Sequence, residues 1–168
     1  DYLQAGAEIL TANTFRTHRR NLSRAGNLGR ARDLTVLAVE LTREVVGDSA
    51  WIAGSQAPLE DCYHPERTRS PRELEREHHL MAEDLASAGV DVILAETQPT
   101  IREALAVARA VGDVGLPVMV SFVCGREGRD PFEHEPDRVH AGGQSVRLAL
   151  GAVPFIREAM EAGWQGDY

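Results

Sequence analysis

The sequence predicts an α/β fold with a parallel sheet, built from successive strand–helix units, and three observations carry that prediction. First, a phrase recurs: Leu3-Gln4-Ala5-Gly6-Ala7-Glu8-Ile9-Leu10-Thr11-Ala12-Asn13-Thr14 is repeated in kind by Leu85-Ala86-Ser87-Ala88-Gly89-Val90-Asp91-Val92-Ile93-Leu94-Ala95-Glu96-Thr97. Each copy reads as a helix end stopped by glycine, an acidic residue, an apolar run and a polar cluster that closes on threonine. Apolar runs of this kind mark strands covered on both faces, as βαβ crossovers require. Second, strand and helix patterns alternate strictly along the chain. Third, the phrase glycines Gly6, Gly89 and Gly163 recur at intervals of about 80 residues, room for two βα units of roughly 40 each, the size of barrel units.

Taken in order, Glu8 to Phe15 reads as the first strand and Arg16 to Gly29 as a long loop. A helix over 30–46 carries Leu34, Leu37, Ala38, Leu41 and Val45 close to a 3.6-residue period, and Gly47 stops it. Trp51 to Ser55 is a short apolar strand, and 56–69 a polar loop. Ser70-Pro71-Arg72-Glu73 is a strong helix start, with Ser70 as N-cap, Pro71 in the first turn and Glu73 placed to complete a capping box. The helix it opens runs to Ala88 with Leu74, Met81, Ala82 and Leu85 on one face. His78 shares that face, which favours a buried structural histidine, and His79 lies off it. Asp91 to Glu96 is the next strand, Thr100 caps a helix to about Val111, and Val118 to Cys124 is the fourth strand. Beyond Gly125, 126–143 reads as a charged loop and 146–162 as an amphipathic stretch whose helix begins at Pro154. A third copy of the phrase starts at Ala162-Gly163 but no apolar strand follows.

Composition removes several functions. The chain of 168 residues carries 18 basic and 26 acidic side chains, a formal charge of -8, with no basic stripe, which argues against nucleic acid. All the basic residues are arginine, so a lysine Schiff base and the Walker-type phosphate loop are excluded. No apolar run approaches the roughly 18 residues of a membrane span and no signal-peptide pattern opens the chain, so a cytoplasmic protein is expected. The opening lacks methionine and reads as the last turn of a helix, from which a missing N-terminal part is expected. Closed (β/α)8 barrels need about 250 residues, and four strands are visible. The expectation is one partial TIM-type (β/α)8 barrel domain over 1–168 with parallel strands and about four βα units.

Active sites of such folds lie at the carboxyl ends of the strands. The tips are Asn13 and Thr14; Gly54, Ser55 and Gln56; Glu96 and Thr97; Ser121 and Cys124. Glu96 is the only carboxylate among them. Partly buried, it needs a cationic or hydrogen-bonding partner, either a substrate ammonium group or a structural arginine. Gly54 leaves room for a ligand against the backbone, or serves a tight turn. Asn13 and Thr14 have hydrogen bonds to offer a carboxylate or one another. Asp61, Cys62 and His64 carry zinc-ligand chemistry at a spacing that matches no standard pattern, and neither Cys62 nor Cys124 has a histidine placed beside it.

Together Ala5 to Arg16, Ala53-Gly54-Ser55 with Pro58-Leu59-Glu60-Asp61-Cys62-Tyr63, Ala88-Gly89-Val90-Asp91 leading to Glu96-Thr97, and Val120-Ser121-Phe122 resemble the homocysteine S-methyltransferase family, over residues 2–128, with 129–168 divergent. The resemblance implies a (β/α)8 barrel that moves a methyl group from a sulfonium, betaine or folate donor to the thiol of homocysteine, giving methionine. It implies zinc on three cysteine thiolates, activating the bound thiol. It also implies that Glu96 binds the amino group of homocysteine while Asn13, Thr14, Gly54 and Ser55 line the same pocket. The zinc cysteines of the family have no counterpart here, since the Asn-Cys tip after Gly163 is replaced by Trp164-Gln165-Gly166-Asp167-Tyr168 and no Gly-Gly-Cys-Cys occurs. Zinc is therefore not expected on this chain and catalysis is expected to be impaired. The alternatives are an inactive truncated homologue acting as a binding or assembly module, and an unrelated barrel enzyme with Glu96 as general base. Two open sheet edges further suggest a homo-oligomer that completes a barrel-like assembly.

Overall fold

The computed structural model describes residues 2–123. Its elements are β1 (Ile9–Ala12), α1 (Arg19–Arg24), α2 (Ala31–Val46), β2 (Trp51–Gln56), α3 (Pro71–Ala88), β3 (Val92–Gln98), α4 (Ile101–Asp113) and β4 (Val118–Phe122), with single 3₁₀ turns at Leu28–Arg30 and Pro65–Arg67. Cys124, the charged stretch after it, the amphipathic stretch and the third phrase lie outside the described residues.

The four strands form one parallel sheet in the order β1-β2-β3-β4. Each crossover moves one strand further in the same direction. Right-handed connections of that kind put every helix on one face of the sheet, as in a barrel wall, with no reversal of strand order. The register bears this out. Ala12, Gly54, Ile93 and Val118 lie in one row across the sheet and three of them, with Ile52, Ala95 and Val120, join Val39, Met81, Leu85, Val107 and Val111 of the helices in the main core. The next row, Ser55, Leu94 and Met119, points to the opposite face because side chains alternate along a strand.

The recurring phrase has a local cause. Gly89 sits at φ +83° as the left-handed C-terminal residue of α3, a conformation glycine adopts without a Cβ penalty. Two residues on, Asp91 Oδ2 accepts from the Ile52 N–H at 2.7 Å and from Arg43 Nη2 at 2.9 Å. The acidic residue of the phrase thus ties the start of β2 and the end of α2 to the next unit.

Helix α3 follows expectation closely. Glu73 Oε2 reaches back to accept from the Ser70 N–H at 3.3 Å and its hydroxyl at 2.7 Å, and hydrogen bonds from Ser70 and then Arg69 hold the Glu73 carboxyl down at about 2. Leu74, His78, Met81, Ala82 and Leu85 are all buried. Thr100 Oγ1 accepts from the Glu103 N–H at 3.3 Å and caps α4.

Three expectations are corrected. Strand β1 is four residues rather than eight, because the Thr14 N–H turns back to Ala12 O at 2.8 Å and ends the ladder. The stretch 16–29 is not all loop: α1 forms within it, docked by Arg20, whose Nε and Nη2 donate to the two oxygens of Glu77 at 2.9 and 2.6 Å while Nη1 donates to Glu60 at 3.2 Å. Burial raises the Glu77 carboxyl more than any single contact lowers it, but the hydrogen bonds and charges of Arg20 and Arg76 together outweigh it and the group sits below its usual value. Arg19 adds a two-pronged contact to Asp84 at 2.6 and 3.2 Å. Finally, α2 buries Ala31, Thr35, Val39 and Val46, whereas Leu37, Leu41 and Val45 are 46%, 54% and 70% exposed. Small and β-branched residues bring the helix close to the sheet, and the larger apolar residues fall on its flank, across the helix from Arg43.

Candidate functional site

The strand tips converge on the face opposite the helices. Glu96 lies two residues beyond Leu94 on β3, so its side chain shares the face of Ser55 on β2. Ser55 Oγ donates to Glu96 Oε2 at 2.7 Å. Ser55 is buried and Glu96 half-buried. Ser55 is the hydrogen-bond partner that the described residues give Glu96. Thr14 is fully buried, and its Oγ1 donates to Ser55 O at 2.8 Å. It clasps the tip of β1 to that of β2. Asn13, one residue earlier, is exposed.

Gly54 belongs elsewhere. A Cβ at this position would meet Leu85 Cδ2 at 2.7 Å and Val90 Cγ1 at 3.0 Å, so its missing side chain faces α3 rather than the rim. Glycine here lets β2 and α3 pack closely.

Behind the tips runs a buried polar chain. Gln56 Nε2 lies 3.1 Å from His78 Nδ1 and donates to His78 O at 3.1 Å; His78 Nε2 lies 3.2 Å from Glu103 Oε1, which also accepts from the Leu59 N–H at 2.7 Å. With Nδ1 accepting from Gln56, the imidazole donates through Nε2 to Glu103. This chain fixes the start of the loop after β2, so the structural role expected of His78 is the one it has. Sequence reasoning had no means of finding its partners, which lie 22 and 25 residues away.

Thr97 follows Glu96 with φ +54°, alone among described non-glycine residues in having positive φ. For a β-branched side chain this conformation stores about 1–3 kcal/mol and clusters at functional sites. Its N–H donates to Ser121 Oγ at 3.0 Å. The pairing between β3 and β4 shifts at this point, between Ala95 and Gln98.

In the loop after β2 the residues with zinc-ligand chemistry are not brought together among the described residues, and Cys124, the second sulfur such a site would need, lies outside them. Asp61 Oδ1 accepts from the Tyr63 N–H at 3.0 Å, His64 Nδ1 is 2.8 Å from Glu66, and Cys62 is a buried free thiol. Among the described residues no three His, Cys, Asp or Glu side chains converge on a point. A separate cleft of about 440 Å³ lies between α1 and α3, lined by Arg19, Arg20, Arg24, Glu77 and Leu80. These arginines are engaged by Asp84, Glu77 and Glu60.

One-sided helices over a parallel sheet, with a polar cluster at the strand ends, define a segment of a TIM-type barrel. The sequence matches the homocysteine S-methyltransferase family over residues 1–150. The chain belongs to that family. Among curated proteins it is 30% identical over 159 residues to S-methylmethionine–homocysteine S-methyltransferase BHMT2 of Mus musculus, an alignment covering 93% of this chain and 39% of that protein. Among solved structures it resembles the homocysteine methyltransferase MmuM from Escherichia coli, in the metallated form (TM-score 0.66, 23% identity, 73% of this chain and 49% of that chain) and the oxidized form (0.63, 22%, 73% and 47%). These structural likenesses establish the fold, and the chain spans about half the length of the solved relatives. No described helix is long and apolar enough to cross a membrane.

Proposed function

We propose that this chain provides the amino-acid-holding half of a homocysteine S-methyltransferase site. The observation that carries the reading is the half-buried Glu96 carboxylate at a strand tip, held by Ser55 at 2.7 Å. A carboxylate so placed is suited to a substrate ammonium group, which contributes both charge and hydrogen bonds. Ser55 orients Glu96, Thr14 fixes Ser55, and Asn13 offers an exposed amide at the tip of β1. Gly54 enters only by letting β2 sit close to α3 and so setting the height of Ser55. In the full reaction the homocysteine sulfur attacks the donor methyl carbon, the donor leaves with the electron pair of the broken bond, and the thiol proton is lost. Thiolate activation falls to zinc in the family, and the described residues do not supply its ligands.

The second reading, a binding or assembly module without catalysis, rests on the sequence, where Trp164-Gln165-Gly166-Asp167-Tyr168 stands in place of the family's Asn-Cys tip. In either reading residues 1–168 belong to one domain acting in the cytoplasm, and in the first that domain serves methionine formation. A second copy of the chain is the partner we propose for the sheet, meeting it at β1 and β4, which are its outer strands among the described residues.

Titration calorimetry with homocysteine tests the first point. Replacing Glu96 by alanine is expected to weaken binding by about tenfold or more, and equal affinity of the two proteins would sink the proposal. Methionine formation by this chain, with zinc and a sulfonium donor supplied, separates the two readings.

A further inference from the structure

We infer that Ser121 is a positioning residue that aims the Glu96 carboxylate by holding a bulge in β3; the inference rests on Glu96 as the acceptor for the homocysteine ammonium group. Two pairings bracket the site: Ala95 opposite Val120 and Gln98 opposite Phe122. Between them β3 spends one more residue than β4, the mark of a β-bulge, which bends a strand and re-aims its side chains. The extra residue is accommodated at Thr97, at φ +54°. In that conformation the Thr97 N–H leaves the ladder and donates instead to Ser121 Oγ at 3.0 Å.

Threonine has no intrinsic preference for this backbone geometry, so the Ser121 acceptor is what compensates it. Remove the hydroxyl, and a half-buried N–H loses its partner while the strain remains. The economical relaxation is toward regular strand, which changes which face successive side chains occupy. Glu96 is the residue next to the bulge. Its Oε2 is tied to Ser55, so a change in strand path at Thr97 moves Oε1, the oxygen left for a ligand. Ser121 itself lies two residues beyond Met119, on the face of Ser55 and Glu96. It thus acts on the substrate amine through Glu96 rather than through the sulfur chemistry.

The test compares equilibrium binding of homocysteine with that of 4-mercaptobutanoate, which has the thiol and carboxylate but no amine, using the full 168-residue chain. Ser121→Ala is expected to weaken homocysteine about tenfold while leaving the analogue within about twofold; Ser121→Thr, which retains the hydroxyl, is expected to behave as the parent. Thr97→Gly in the Ser121→Ala background is expected to restore the preference for homocysteine, because glycine adopts positive φ without assistance. In the Glu96→Ala background, Ser121→Ala is expected to add nothing. An equal loss for both ligands in Ser121→Ala, or no loss at all while Glu96→Ala discriminates, overturns the inference. If Glu96→Ala leaves homocysteine's advantage over the analogue intact, the reading of Glu96 itself falls.

Discussion

His18 caps α1 by accepting the Asn21 N–H on Nδ1 at 3.4 Å, which leaves its proton on Nε2, a buried atom with no hydrogen-bond partner among the described residues. Burial first, then the fields of His78 and Arg16, lower its pKa from 6.5 to about 4. Above pH 6.5 it is neutral in both folded and unfolded chains. As the pH falls from 6.5 toward 4, the unfolded chain takes up a proton that folded His18 refuses, so stability is lost across that window, by up to about 3 kcal/mol. Urea melts of the parent and of His18→Asn at pH 7 and pH 4.5 check this. The substitution keeps a capping oxygen and removes the titration, so its loss on acidification is expected to be smaller; identical losses would refute the assignment. At this scale His78 was legible because it falls on the periodic apolar face of α3. His18 was not, because its burial comes from contacts with residues remote in sequence.

The contact of β2 with α3 depends on Gly54, where a methyl group would overlap Leu85 Cδ2 at 2.7 Å. Leu85 is fully buried and has little room to yield. Gly54→Ala is expected to destabilise the fold by about 1–3 kcal/mol, measured by chemical denaturation. An unchanged midpoint would show that Leu85 repacks freely. Strands and helices of this unit were legible where one signal dominated: the apolar runs of β2, β3 and β4, and the capped, periodic α3. They were illegible where tertiary contacts decide. Helix α1 has no apolar period and is docked through Arg19 and Arg20 to acidic residues 40 to 65 positions away. In α2 the leucines drew attention to the flank, while Val39 was the residue that joined the core and Thr35 was buried against Thr17. The bulge at Thr97 left no trace, since its cause is a hydroxyl on another strand.

Among the described residues β1 is an outer strand of the sheet, packed against α2, on which Leu37, Leu41 and Val45 are exposed. If two copies join there, sedimentation velocity is expected to give a dimer mass that Leu41→Glu lowers to that of a monomer; a parent chain already monomeric at micromolar concentration would count against it. The rim was readable as a list of tips, and the sheet register then sorted that list into Ser55, Glu96 and Ser121 on one face and Gly54 on the other. The α1 docking reaches further. A helix of six residues is far too short to persist alone, so its order depends on guanidinium–carboxylate contacts, and Arg24 in one of them is more than half exposed. Mobile ions weaken such contacts at the surface. Trypsin cuts after arginine and needs a locally unfolded substrate. Digestion after Arg19, Arg20 and Arg24 is therefore expected to accelerate with added sodium chloride, while the arginines within α3 stay resistant. That would make this corner of the rim a segment whose exposure to proteases is set by the ionic strength of its surroundings.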